Sequence, residues 1–84
     1  MGSDNGQRSS GKWRIGAKQT LRAIEQGTVV EVFVAQDADP LIVARIVQLC
    51  KQRGIQLTPV DTMRNLGRQC GIDVGAATAA IMEK

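Results

Sequence analysis

The chain has 84 residues, with eleven Lys or Arg against eight Asp or Glu and a formal charge of +3. A domain of that length buries roughly 60–65% of its unfolded surface, so there is material for one modest core and none for a second domain. With no histidine and no tyrosine, the commonest general base and the commonest neutral metal ligand are missing, which argues against an enzyme and against any cofactor or metal site.

Residues 1–11 contain three glycines, three serines and hardly an apolar side chain, too little to offset the entropy of ordering them, so a disordered tail is expected. Its Met-Gly-Ser opening resembles an expression remnant, and residues 12–84 form the single domain. Lys12-Trp13-Arg14-Ile15 then alternates cations with apolar residues, a short strand with Trp13 anchoring the core edge. Gly16 follows, and residues 17–26 read as a helix with Gly27 as its stop.

That helix begins in an unusual way. The N–H groups of a first turn form the positive end of the helix dipole and favour acidic neighbours, yet this turn carries Lys18, Gln19 and, one turn on, Arg22. Gly16, at the N-cap, has no side-chain oxygen to offer, so the first donors stay open to an outside anion such as phosphate. Ala17, Leu21 and Ile24 form the inward stripe, which turns Lys18, Gln19 and Arg22 outward together.

Residues 29–35 are an almost unbroken apolar run, expected as a central strand covered on both faces. Asp39 and Pro40 open a second helix, with Asp39 as cap and Pro40 at the first helical position. It extends to Arg53 and buries Ile42, Val43, Ile46, Val47, Leu49 and Cys50. Residues 55–60 alternate and include Pro59, which confines them to a sheet edge, parallel to the preceding strand. Thr62 caps a third helix in which Met63, Leu66 and Cys70 face inward, and Gly71 ends it.

Residues 74–82 are ambiguous. Their alanines favour helix, but Gly75 interrupts them and the last helix needs a strand to return to, so a central strand is expected. The fold class that follows is α/β, a three-layer α-β-α sandwich around a four-stranded mixed sheet. Cys50 and Cys70 match no Cys-x-x-Cys or zinc spacing and read as reduced core thiols of a cytoplasmic protein. Asp37 and Asp39 could suggest paired catalytic carboxylates, but capping accounts for Asp39 and no nucleophile accompanies them. No phosphate-loop or dinucleotide fingerprint occurs.

Taken together, Gly16-Ala17-Lys18-Gln19-Thr20-Leu21-Arg22, Asp37-Ala38-Asp39-Pro40, Leu66-Gly67-Arg68-Gln69-Cys70-Gly71 and Ile72-Asp73-Val74-Gly75-Ala76-Ala77 resemble the kink-turn-binding ribosomal protein superfamily, the L-seven-Ae and L-thirty-e type. The chain is most similar to its small bacterial members. The resemblance implies an α-β-α sandwich that binds RNA kink-turns, bent internal loops built on tandem sheared G·A pairs. In the family signature a glycine is followed by asparagine, glutamate and, three residues on, lysine; Gly16, Lys18, Gln19 and Arg22 fill those positions. Lysine or arginine can donate to guanine O6 and N7, and a glutamine amide can both donate and accept at a base edge.

The resemblance gives the second contact to the loop of Ile72, Asp73 and Val74, whose apolar side chains would cover an unstacked nucleotide. The alternative is that Ile72 and Val74 are core at a strand start. Family members usually carry a helix before the first strand, and residues 1–11 offer no convincing one. The expected function is therefore a non-catalytic binder of kink-turn RNA, whether ribosomal, leader or small RNA. The protein would be ribosome-associated, monomeric and away from membranes. The alternative is a protein-interaction adaptor on the same fold.

Overall fold

The computed structural model describes residues 12–27 and 29–82; the expected tail of residues 1–11, and with it the question of a preceding helix, lies outside them. The order of elements is β1 (Lys12–Ile15), α1 (Ala17–Gln26), β2 (Val29–Ala35), α2 (Pro40–Arg53), β3 (Gln56–Val60), α3 (Met63–Cys70) and β4 (Thr78–Met82). All three helices start and stop where local chemistry directs. Gly27, Gly54 and Gly71 each close a helix in the left-handed region, with φ of 78°, 67° and 81°, and each turns its N–H back onto the last carbonyls.

The four strands form one mixed sheet in the order β1-β4-β2-β3. β4 runs antiparallel to both β1 and β2, whereas β2 and β3 are parallel. Alternation along β2 divides its side chains between two cores. Val32 and Val34 join Ala23, Ile24, Ile46, Cys50, Ala80 and Met82 under α1 and α2. On the opposite face Ala35 joins Val60, Leu66 and Ala79 under α3, with Trp13, Ile15 and Phe33 packed at its margin. Trp13 meets Phe33 with ring centroids 5.5 Å apart, the core-edge role expected of it. Ala79 and Ala80 are both fully buried: their small side chains let helices approach the middle of the sheet from either side. The architecture is the expected three-layer sandwich, with β2 and β4 inside and the proline-bearing β3 at an edge.

Three expectations are corrected. β4 does not begin at residue 74 but at Thr78. The chain after Gly71 first runs back along α3, with Ile72 N–H donating to the Gly67 carbonyl and Ala76 N–H to that of Met63, both at 3.0 Å. Backbone donors committed to a helix cannot also serve a strand ladder. Second, β2 is not covered throughout. The pairing with β4 slips between Val29 and Glu31, and a bulge of this kind leaves one residue unpaired; Val30, at the slip, is exposed. Third, Met63, expected to face inward, is 37% exposed, because it sits at the rim where α3 meets its return segment.

Candidate nucleic-acid interface

The sheet topology brings all three helix N-termini to one end of the molecule, since each follows a strand that ends there. Each N-terminus exposes donors and the positive end of a dipole, and the three are finished differently. At α2, Pro40 has no N–H and Asp39 Oδ1 accepts from Leu41 N–H at 2.9 Å. At α3, Thr62 Oγ1 accepts from Asn65 N–H at 3.1 Å, and Asp37 Oδ1 reaches across from the β2–α2 turn to take Met63 N–H at 2.8 Å. At α1, Gly16 supplies no side-chain cap and no acidic residue occupies the first turn. The N–H groups of Ala17, Lys18 and Gln19 therefore face outward, and among the described residues α1 is the one helix whose first turn is left open to an anion.

Gly16 makes this opening structurally cheap. Its φ of 104° is one that side-chain-bearing residues rarely adopt, and a Cβ built there would meet nothing within 4 Å. The backbone thus approaches the surface bare. Lys18, Gln19 and Arg22 are exposed on the outward face, Arg22 standing four residues after Lys18 and three after Gln19 and hence a neighbour of both. None of the three side chains has a hydrogen bond or ion pair among the described residues, so their donors are available to a ligand.

The second expected contact, the loop of Ile72, Asp73 and Val74, comes to the same end by a backbone route. Gly16 N–H donates to the Thr78 carbonyl at 2.8 Å, joining the start of α1 to the residue where the return segment enters β4. Thr78 is itself fully buried, and its hydroxyl donates to the Phe33 carbonyl at 2.7 Å. Within the loop the side chains divide. Ile72 is half-buried and packs against the α3-side core, Asp73 is exposed, and Val74 is 68% exposed. Since β4 starts four residues later, the reading of Val74 as core at a strand start is not what the fold shows. Ile72 anchors the loop and Val74 is left free at its crest.

Close packing holds that loop in place. A Cβ on Gly67 would lie 2.0 Å from the Val74 carbonyl oxygen, and one on Gly75 would lie 3.1 Å from the Met63 Cβ, so the segment lies directly on α3. Asp37 completes the arrangement: it holds Met63 N–H while Met63's carbonyl receives Ala76 N–H. Sequence reading missed Asp37, Gly67 and Thr78 as parts of the site. A partner 26 residues away for Asp37 leaves no local signal, although the glycine inside α3, where glycine is unfavourable by about 1 kcal/mol relative to alanine, was one.

The thiols play no part in this surface. Cys50 and Cys70 are both free; burial pushes the Cys50 thiol up and that of Cys70 to about 11. No helix among the described residues is long and apolar enough to cross a membrane, and no group of three or more His, Cys, Asp or Glu there could hold a metal ion.

Known proteins resemble the chain in sequence and in fold. The model of the family described as "Ribosomal protein L7Ae/L30e/S12e/Gadd45 family" matches residues 4–84. An RNA-binding protein of Caldanaerobacter subterraneus subsp. tengcongensis is 52% identical over 66 residues, covering 79% of this chain and 80% of that protein. The RNA-binding protein YbxF of Geobacillus stearothermophilus is 44% identical over 73 residues, 87% of this chain and 89% of that one. Among solved structures, the Giardia lamblia 15.5 kD RNA-binding protein superposes with a TM-score of 0.79 at 29% identity over 86% of this chain. The present chain spans 61% of the length of that structure.

Proposed function

The chain belongs to the ribosomal protein L7Ae/L30e/S12e/Gadd45 family, and we propose that within it this protein is a non-catalytic RNA binder that recognises kink-turns and stabilises their bent form. The observation that carries the reading is the uncapped first turn of α1, with exposed and unpaired Lys18, Gln19 and Arg22, tied through Gly16 to the loop of Ile72, Asp73 and Val74. The relatives that bear the name RNA-binding protein support it.

The division of roles follows from the chemistry of each group. Lys18 and Arg22 donate to guanine O6 and N7, or to phosphate, and the Gln19 amide donates and accepts at a base edge. Open N–H groups at Ala17 to Gln19 receive an anionic oxygen where Gly16 lets the backbone come close. Val74, with Ile72 beneath it, offers an apolar surface to an unstacked base, and the Asp73 carboxylate accepts from a base amino group. A protein that binds the bent RNA more tightly than the straight one shifts the population toward the bend with no energy source. Because these contacts need only the kink-turn, a ribosomal RNA, a leader or a small RNA would serve equally. We place the protein in the cytoplasm as a monomer associated with such an RNA, the ribosome included.

A gel-shift comparison of a kink-turn duplex with a straight duplex of equal length, at stated salt, tests this. The kink-turn should be preferred, and Arg22→Ala should weaken its binding by about 1–3 kcal/mol. Equal binding of the two RNAs would favour a protein-interaction adaptor instead, and unchanged binding by the Lys18, Gln19, Arg22 triple-alanine variant would remove the site from α1.

A further inference from the structure

α3 carries a second pair of cations that the contacts above leave unused. Arg64 and Arg68 are exposed, stand four residues apart on one helix face, and line with Ile72, Asp73 and Val74 a groove of about 610 Å³ between α3 and its return segment. Neither guanidinium has an ion pair or hydrogen bond among the described residues, although two carboxylates line the same groove. Asp37 is committed to Met63 N–H; Asp73 stands across from the arginines without pairing to them. No acidic residue occurs anywhere in α3, whose sequence is Met-Arg-Asn-Leu-Gly-Arg-Gln-Cys.

The placement matters more than the charge. α1 and α3 cover opposite faces of the sheet, so the cations of α1 and those of α3 flank the loop from two sides. A straight duplex laid on α1 continues in one direction, on the α1 side of the sheet. A bent RNA can reach α3 as well, because its second arm leaves the bend in a different direction. We propose that Arg64 and Arg68 form a second phosphate-binding track that takes the backbone of the arm emerging on the α3 side, so that the protein grips both arms of the bend. Guanidinium suits the task, since its planar fork matches two phosphate oxygens at once. A contact made only in the bent state also adds directly to the preference for that state. The proposal rests on the RNA-binding reading above, and it assigns to α3 a role separate from base recognition.

The test is the salt dependence of binding to a synthetic kink-turn RNA with two full arms, measured from about 50 to 200 mM salt. Removing the cations that neutralise two duplex phosphates should lower the slope of log K against log salt by about 1.8 and weaken binding about 30-fold near 0.15 M. The Arg64→Ala/Arg68→Ala variant should show that loss, and Arg64→Lys/Arg68→Lys, which keeps the charge, should recover the slope. Removing the same charge from the exposed face of α2, with Arg45→Ala/Lys51→Ala, should leave it unchanged. Shortening one arm of the RNA should abolish the difference between wild type and the Arg64→Ala/Arg68→Ala variant, while shortening the other should not. A wild-type slope in Arg64→Ala/Arg68→Ala, or a loss no larger than that of Arg45→Ala/Lys51→Ala, overturns the track. The underlying reading fails in a different way, through a wild-type protein that does not distinguish kink-turn from straight RNA.

Discussion

The first turns of α1 and α3 lie at the same end of the sheet and are completed in opposite ways. α3 spends its donors internally: Thr62 and Asp37 take two of them, and the Met63 carbonyl receives the returning chain. α1 spends none on side chains, and Gly16 keeps its approach bare. The difference separates two jobs that one interface needs. A loop can present an apolar crest only if something rigid holds it, whereas a helix terminus can bind an outside anion only if nothing inside has claimed its donors.

The contrast breaks most completely if the packing under the loop is disturbed. Gly67→Ala places a methyl 2.0 Å from the Val74 carbonyl oxygen, a backbone atom that cannot turn aside. Overpacking of this kind costs about 1–3 kcal/mol, so the urea midpoint should fall, and kink-turn binding should be lost beyond what the stability change explains. Asp37→Ala removes a helix cap that joins two segments; the cost expected is about 1 kcal/mol in urea denaturation, accompanied by weaker RNA binding because the loop is less well held. A wild-type affinity in Asp37→Ala would show that α3 and the loop do not depend on that clamp.

At α1 the same kind of change should act with the reverse sign on stability. Lys18→Glu puts a carboxylate at the positive end of the dipole, which should stabilise the fold by about 0.3–1 kcal/mol and raise the thermal midpoint while abolishing the gel shift. A protein that gains stability as it loses binding is what a helix start reserved for a ligand predicts; parallel loss of both would make Lys18 a structural residue. The smallest effect belongs to alkaline pH. The Cys70 thiol is pushed up by burial from 9.0 to about 11, so the folded state holds its proton where the unfolded state has released it. Its contribution is therefore complete below about pH 9 and falls as pH rises toward 11. Urea midpoints across that window should decline, and Cys70→Ala should flatten the decline if this thiol at the end of α3 is the cause.

Much of the scaffold was legible along the chain because it is written in short-range chemistry. Gly27, Gly54 and Gly71 mark helix ends because each ends in a conformation that side chains resist. Asp39 with Pro40, and Thr62, mark helix starts because a cap acts within three residues. Pro59 marks an edge strand because it cannot donate to a ladder. The α1 half of the candidate site was legible for the same reason: a glycine followed by two cations and an amide is a local departure from what a helix start prefers. The α3 half was not. Residues 74–77 read as the start of a strand until Gly67 and Met63 are seen to hold the segment on the helix, the loop of Ile72, Asp73 and Val74 was named by family resemblance and not by local chemistry, and nothing near Asp37 announces a partner 26 residues away.

By itself, then, the sequence determined the order of the elements, the ends of the helices and the open donors of α1, all of which depend on groups within about one helical turn of each other. Only the tertiary structure decided where β4 begins, which carboxylate closes α3, and that Gly16 N–H meets the Thr78 carbonyl at the junction of the two halves. The physical reason is that every buried backbone donor and acceptor must find a partner, and which distant partner it finds is settled when the layers pack.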